Sequence, residues 1–346
     1  MRSSSYDIVF ITSDKTEGGI QRALIDWASV ILENQSLRFA SITAENRFSR
    51  WLATHHPQTT SFRLSAFHRI MIRHFPTYAH LFFSGKIAKI AFVHNGFACA
   101  AAQNLASHVI GICHNDKPHH FKAADQLICL TPRGISLAKQ QGWTDDRLIL
   151  LPHYHDCQHD RMPEIAPATS LRISAAGRFV PKKNFELFIA IAGAIQAERP
   201  DIQFTLAGDG PKDAFLKQMA THKGATINFT GWTDMEKLAS QTDLFILPST
   251  DEPFGYVLAE MMDAGVAVLS TPSSGADYLL DGGKITPLIS PDELGKWVET
   301  ILMLADNPAL LKSWRKKIFK QIRSAQFSRQ AFSDRLALLI SDNLAQ

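Results

Sequence analysis

Short apolar runs and amphipathic stretches alternate along almost the whole chain. YDIVFIT, RFASIT, IAFVHN, HVIGICHN, QLICLT and RLILLPH are brief and rich in β-branched or apolar residues, which predicts strands. Between them, GGIQRALIDWASVILEN carries apolar residues at helical spacing, and FACAAAQNLA is Ala-rich. Strand and helix in strict alternation predict a parallel sheet covered by helices on both faces. A polar, Pro-containing stretch at 153–170 breaks the rhythm and reads as an exposed linker. Then the alternation restarts. LRISAAG, IQFTLAG, TINFTG, DLFILPS and AVLST read as strands. NFELFIAIAGAIQAE, DAFLKQMATH, MEKLASQ, YVLAEMMDAG and ELGKWVETILMLAD read as the helices between and after them. Two successive doubly wound units predict two Rossmann-like α/β domains facing across a cleft, with ligands beyond the carboxyl ends of the strands.

Composition fits this picture. The chain has 346 residues, 45% hydrophobic and 20% charged, as expected of a globular protein of two domains. No apolar run reaches about 18 residues, the length of a membrane-spanning helix. The first residues, MRSSSYDIVFITSD, read as a strand entry rather than a signal peptide, so a cytoplasmic location is expected. Cys99, Cys113, Cys129 and Cys157 show no C-x-x-C spacing, and three lie in apolar runs. They read as reduced, buried thiols.

Charge adds an asymmetry that the net value of +3 hides. No Asp or Glu occurs between Glu45 and Asp116, while that stretch carries seven Lys and Arg and eight His. A block so one-sided is expected to face something anionic. Within it, RLSAFHRIMIRHF places Phe67, Ile70, Met71 and Phe75 at helical spacing, with Arg69 and Arg73 on the flank. A basic amphipathic helix can lie on an anionic membrane, although such a face can also belong to a core. No nucleic-acid module is recognisable.

Four stretches carry candidate chemistry. In TEGGIQRA, Gly18 and Gly19 open a helix after the first strand, where backbone amides can approach a phosphate. A tight turn needs glycine in any case. In AAGRFVPKKNFELFI, Arg178 and Lys183 occupy the loop between a strand and a helix opening at Asn184, which suits a diphosphate. LAGDGP, with Gly208, is an ordinary turn by itself and adds a backbone-lined rim. In STDEPFGYVLAEMMDAG, Glu252 falls in the loop after a strand and Glu260 inside the helix beginning near Gly255. Eight residues of helix turn roughly 800°, so the two carboxylates do not share a face. Their placement suits two hydroxylated groups on one ligand better than paired proton transfer.

Arg178 and Lys183 five apart, then GDGP, LPS and an E-x7-E enclosing Phe-Gly, resemble the retaining glycosyltransferases of family 4. The likeness spans about Leu171 to Leu280. The amino-terminal half resembles the family more loosely, through EGGIQR and HVIGICHN. The resemblance implies a GT-B fold: an acceptor-side domain at 1–165, a nucleotide-sugar-binding domain at 166–325, and a helix at 326–346 crossing back to the first domain. In that helix Phe332, Leu336, Leu339 and Ile340 are spaced to pack. The resemblance also implies roles. Arg178 and Lys183 would hold the donor diphosphate and stabilise the leaving group. Glu252, with Pro253, Phe254 and Gly255, would bind the donor sugar. Tyr256 and Val257 would offer backbone amides, and Glu260 would bind the ribose. Gly18, Gly19 and Gly208 would line the donor, and His114 would be the active-site histidine near the sugar. No metal and no further cofactor are expected, because the two cations do the work of Mg²⁺. A UDP-sugar is the favoured donor.

The resemblance further implies retention without a carboxylate nucleophile, so Glu252 is not assigned as one. Two departures stand out. HYHDCQHD replaces the family's Asn-Gly-Val-Asp before the interdomain linker. Its His153, His155, Cys157 and His159 resemble metal ligands, but their spacing is not a known zinc pattern. The stretch from Arg47 to Ser84 matches nothing in the family and reads as an acceptor-side insertion. The expected activity is sugar transfer to a cell-envelope glycan or glycolipid, such as lipopolysaccharide, by a protein peripheral on the inner membrane face. The alternatives are a sugar-nucleotide epimerase of the same fold and a non-catalytic GT-B subunit.

Overall fold

A computed structural model describes residues 5–13, 18–74, 86–164 and 169–345. The chain divides into two compact units, Met1–His153 with Gln330–Gln346, and Tyr154–Arg329.

Among the described residues of the first unit, seven strands form one parallel sheet: β1 Tyr6–Thr12, β2 Phe39–Thr43, β3 Thr60–Arg63, β4 Ala88–Val93, β5 Ala106–Cys113, β6 Gln126–Cys129 and β7 Leu148–Leu150. Their order is β3-β2-β1-β4-β5-β6-β7. β1 and β2 are buried along almost their whole length, as strands covered on both faces must be. The helices are α1 Gly19–Glu33, α2 Arg47–His55, α3 Ala66–His74, α4 Cys99–Ala102 and α5 Pro132–Gln140. Of the Ala-rich helix expected from sequence, only one short turn of α-helix forms, after a 3-10 turn at Gly96–Ala98.

In the second unit β8 Arg172–Ala176, β9 Gln203–Ala207, β10 Ile227–Gly231, β11 Leu244–Leu247 and β12 Ala267–Ser270 form a second parallel sheet, ordered β10-β9-β8-β11-β12. Its helices are α6 Phe185–Gln196, α7 Asp213–His222, α8 Met235–Ser240, α9 Tyr256–Asp263, α10 Ser274–Leu279, α11 Leu294–Asp306 and α12 Pro308–Ile322. The last helix, α13 Arg329–Leu344, belongs to the first unit from its second residue on. Phe332 packs edge-on against Trp27 with centroids 5.0 Å apart, and the Asn343 amide donates to Gln126 at 3.4 Å. The fold is α/β, with two doubly wound parallel sheets.

Two sequence expectations change. The stretch after Arg47 is not an insertion up to His74: it supplies α2, the edge strand β3 and α3, so it continues the first sheet. Asn46 starts α2 with a reciprocal cap, accepting from Ser49 N–H at 2.9 Å while Ser49 Oγ accepts from Asn46 N–H at 3.0 Å. Phe75, Phe82 and Phe83 of this stretch lie outside the described residues. The start of the 153–170 linker is also not exposed, since His153, Tyr154 and His155 are 2%, 4% and 7% accessible. Cys99, Cys113 and Cys129 are buried free thiols, and Cys157 is exposed.

Candidate functional site

In the second unit the strand order reverses between β8 and β11. Open parallel sheets bind ligands at such a point, beyond the strands' carboxyl ends. The loops leaving these two strands carry the charged candidates. Arg178 is half-buried in the β8 loop, and Lys183 closes a 3-10 turn at Pro181–Lys183 in the same loop. Glu252 lies in the β11 loop. The Lys183 ammonium pairs with the Glu252 carboxylate, and both side chains are about six-sevenths buried, at 15% and 14% exposure. Backbone ties the loops as well, because Thr250 N–H donates to the Lys182 carbonyl at 3.0 Å. So the structure brings together a cation and a carboxylate that lie 69 residues apart in sequence.

The stretch from Glu252 to Gly255 is clamped from behind. Gly275 N–H donates to the Glu252 carbonyl at 2.7 Å. A Cβ on Gly275 would sit 2.1 Å from the Phe254 carbonyl oxygen, so only glycine fits there. Pro253 and Phe254 are buried, which makes the Phe254 side chain an anchor of the loop. Gly255 adopts φ 89° and caps α9, turning the positive end of that helix toward the loop. Tyr256 and Val257 are half-buried in its first turn. Glu260 follows one turn later, half-buried beside the fully buried Met261 and Met262. Loop and helix thus hold the two glutamates apart, as the sequence indicated. The β9 loop abuts the β8 loop: a Cβ on Gly208, at φ 134°, would lie 1.9 Å from the Gly177 carbonyl oxygen. Phe179 N–H donates to the Asp209 carbonyl at 2.8 Å.

The first unit has its own switch point, between β1 and β4. Asn95, just after β4, accepts from Thr12 Oγ1 at 3.0 Å and from Ser13 N–H at 2.8 Å. Gly18 and Gly19 are exposed at the start of α1, and no described atom lies within 4 Å of where a Gly18 Cβ would stand. His114 follows β5. Its ring lies between those of His94 and His153, with centroids 5.2 and 5.4 Å away. His94 Nδ1 and His114 Nε2 are 2.9 Å apart and share a hydrogen bond. Trp27 Nε1–H donates to His153 Nδ1 at 3.0 Å. Burial pushes the His114 imidazole down to about 3, and desolvation with the neighbouring rings pushes His94 and His153 well below the ordinary range. All three rings are neutral at pH 7. A neutral imidazole here can orient a polar group by hydrogen bonding but carries no charge.

His94, Asn95 and Trp27 are not among the residues singled out from the sequence, and His153 was noted there only for its resemblance to a metal ligand. A signal existed for two of them. His94-Asn95 ends β4 as His114-Asn115 ends β5, so VHN and CHN repeat the same strand-end pattern. Nothing in the sequence announces that His153 meets Trp27. A cavity of about 240 Å³ also opens at the carboxyl ends of β2 and β3, lined by Thr43, Ser49, His56, Ser61 and Arg63 among others.

Residues 170–307 match the sequence profile of the family described as glycosyl transferases group 1. The chain is 26% identical over 232 residues to the lipopolysaccharide core biosynthesis glycosyltransferase LpsE of Rhizobium meliloti, covering 64% of this chain and 66% of that one. It is 27% identical over 234 residues to LpsD of the same organism, covering 63% and 65%. The chain thus spans just under two thirds of these relatives' length. Among solved structures, Anabaena HepE in complex with UDP-glucose superposes with a TM-score of 0.78 at 19% identity, over 97% of this chain and all of that one. Sucrose-phosphate synthase from Thermosynechococcus elongatus superposes with a TM-score of 0.77 at 16% identity, over 98% and 99%. The two parallel sheets are those of the GT-B fold.

Proposed function

We infer that this chain, a member of the group 1 glycosyl transferases through residues 170–307, moves a sugar with retention from a nucleoside diphosphate sugar to a cell-envelope glycan or glycolipid. One observation carries the reading: the cationic β8 loop and the carboxylate β11 loop meet at the switch point of the second sheet, through Lys183 and Glu252. Buried ionic groups persist where they meet a charged ligand or one another. In this reading Arg178 and Lys183 take the diphosphate, and Lys183 exchanges part of its contact with Glu252 for phosphate oxygens. The freed Glu252 accepts from sugar hydroxyls, while Glu260 accepts from the ribose. Pro253, Phe254, Tyr256, Val257 and Gly208 shape the backbone around the donor. Gly18, Gly19 and neutral His114 are the candidates that the first unit carries.

Charge grows on the diphosphate as the glycosidic bond breaks, and fixed cations there stabilise the transition state more than the ground state. No step requires a metal in this scheme, and a UDP-sugar is the donor we favour. For the acceptor, the lipopolysaccharide-core relatives support an envelope glycan. Exposed Phe67 and Ile70 on α3, with Arg73 in its last turn, support contact with an anionic membrane surface. Among the described residues no helix is long and apolar enough to cross a membrane.

The test is transfer from radiolabelled nucleotide sugars to a lipid-linked glycan extract. The reading expects label in the extract with the wild-type chain and a loss of about 10²–10³-fold in rate with Lys183→Ala. Conversion of the donor with no acceptor would favour an epimerase instead. Equal rates in both proteins would remove the catalytic assignment.

A further inference from the structure

A second cluster of chemistry-bearing side chains lies at the other end of α9. Asp263, the last residue of that helix, is 2% exposed. Around it the chain folds the segment 155–159, in which His155, Cys157 and His159 alternate. His155 Nε2 lies 3.3 Å from Asp263 Oδ2, and His159 Nδ1 lies 3.5 Å from the same oxygen. Ligand atoms of His155, Cys157 and Asp263 all fall within 4.8 Å of one another. Both ring nitrogens are buried yet make no hydrogen bond, and the His155 side chain is 5% exposed.

A buried ring nitrogen with no hydrogen-bond partner is costly, so two of them aimed at one carboxylate oxygen call for a reason. Their spacing supplies one. Tetrahedral zinc holds N and O ligands at about 2.0–2.2 Å, which puts neighbouring ligand atoms roughly 3.4 Å apart. The His155–Asp263 contact of 3.3 Å is too poorly aligned for a hydrogen bond but matches the edge of such a tetrahedron, while His159 stands beside the same oxygen without joining the group. We propose that His155, Cys157 and Asp263 form a three-ligand site for a divalent zinc-class cation. One thiolate and one carboxylate neutralise the cation's two charges, and the neutral His155 imidazole is the third ligand of the shell, which leaves the fourth position to solvent. The carboxylate is oriented from outside that shell: Gln158 N–H donates to Oδ2 at 2.7 Å, and the Arg323 guanidinium pairs with Oδ1. Arg323 also donates to the His159 carbonyl, so it braces the segment that carries His155 and Cys157 as well as Asp263. Its three protein ligands come from α9 and from the segment 155–157, and its role is to pin the carboxyl end of α9, the helix that carries Glu260.

The test is cobalt titration of the untagged full-length chain after chelator treatment and removal of the chelator. One equivalent of Co²⁺ is expected to give visible bands of tetrahedral intensity and a near-ultraviolet thiolate charge-transfer band, both bleached by one equivalent of Zn²⁺. Cys157→Ser, at an exposed position, keeps the fold by circular dichroism but loses the charge-transfer band. Asp263→Asn weakens binding at least about tenfold. His55→Ala/His56→Ala, a pair outside the cluster, changes neither. Absence of a one-to-one cobalt spectrum, or an unchanged charge-transfer band in Cys157→Ser, would overturn the site. Neither result bears on the transfer assay, which reads Lys183.

Discussion

Individual residues set the sharpest expectations. The ion pair between Lys183 and Glu252 means that these side chains are already placed, so substitutions there act on chemistry and on local order together. Glu260 stands apart, with its charge on a half-buried turn among methionines. Glu260→Gln is expected to raise KM for the donor about tenfold with kcat little changed, because a charge-assisted hydrogen bond to the ribose is weakened. A fall in kcat at unchanged KM would contradict the ribose assignment. His94, His114 and His153 make a prediction about pH. Their folded-state values are depressed, so the unfolded chain takes up their protons first on acidification. Stability from their neutral burial is complete above the unfolded value near 6.5 and is lost as pH falls below it. Asp263 is pushed up by burial, but the adjacent His155 ring, the Gln158 N–H and the Arg323 charge outweigh this and hold it below the carboxylate range. Its contribution is present above the unfolded value near 4 and disappears only in stronger acid. Thermal unfolding from pH 8 to pH 5 should therefore show a steady Tm between pH 8 and 7 and a clear drop below 6.5. A flat profile down to pH 5 would sink this account of the histidine stack.

At the scale of elements, loop geometry decides the site. Gly208→Ala puts a Cβ on the Gly177 carbonyl and into a φ that L residues rarely adopt. It should lower stability by about 1–3 kcal/mol and displace the β8 loop that carries Arg178 and Lys183. Chemical denaturation gives the first effect and nucleotide affinity the second. Most of these elements were legible, because strands such as Ile8–Ile11 and Leu244–Leu247 are continuous apolar runs bounded by turns. Tyr256–Asp263 was legible to within a residue at each end, since Gly255 marks its start and Gly265 follows its end. β3 was not, since TSFR has no apolar run and exposes alternate residues as an edge strand does. α10 is six residues long, too short to show a period. α12 did carry a signal, with Trp314, Ile318 and Ile322 at helical spacing and buried. The buried linker was misread because HYHDCQHD is polar, and only tertiary partners such as Trp27 and Asp263 make its burial tolerable.

For the whole molecule, the charged block between Glu45 and Asp116 is the feature that local chemistry leaves over. Part of it builds the first sheet, and part presents Phe67 and Ile70 at 61% and 57% exposure. Sedimentation with anionic vesicles should carry the chain down at low salt and release it as salt rises. Arg69→Glu/Arg73→Glu should bind less, and equal sedimentation of both proteins would refute the membrane face. The central claim concerns the second unit: its switch point holds a nucleoside diphosphate sugar through Arg178 and Lys183. Thermal shift of the purified chain against UDP-, GDP-, ADP- and dTDP-sugars tests it most directly. A bound donor raises Tm by mass action, by about 2.7 kcal/mol of stability at a hundredfold excess over Kd. The account predicts a concentration-dependent rise with at least one donor, strongest with a UDP-sugar and abolished in Arg178→Ala/Lys183→Ala. No rise with any donor, or the same rise in the double variant, would contradict it.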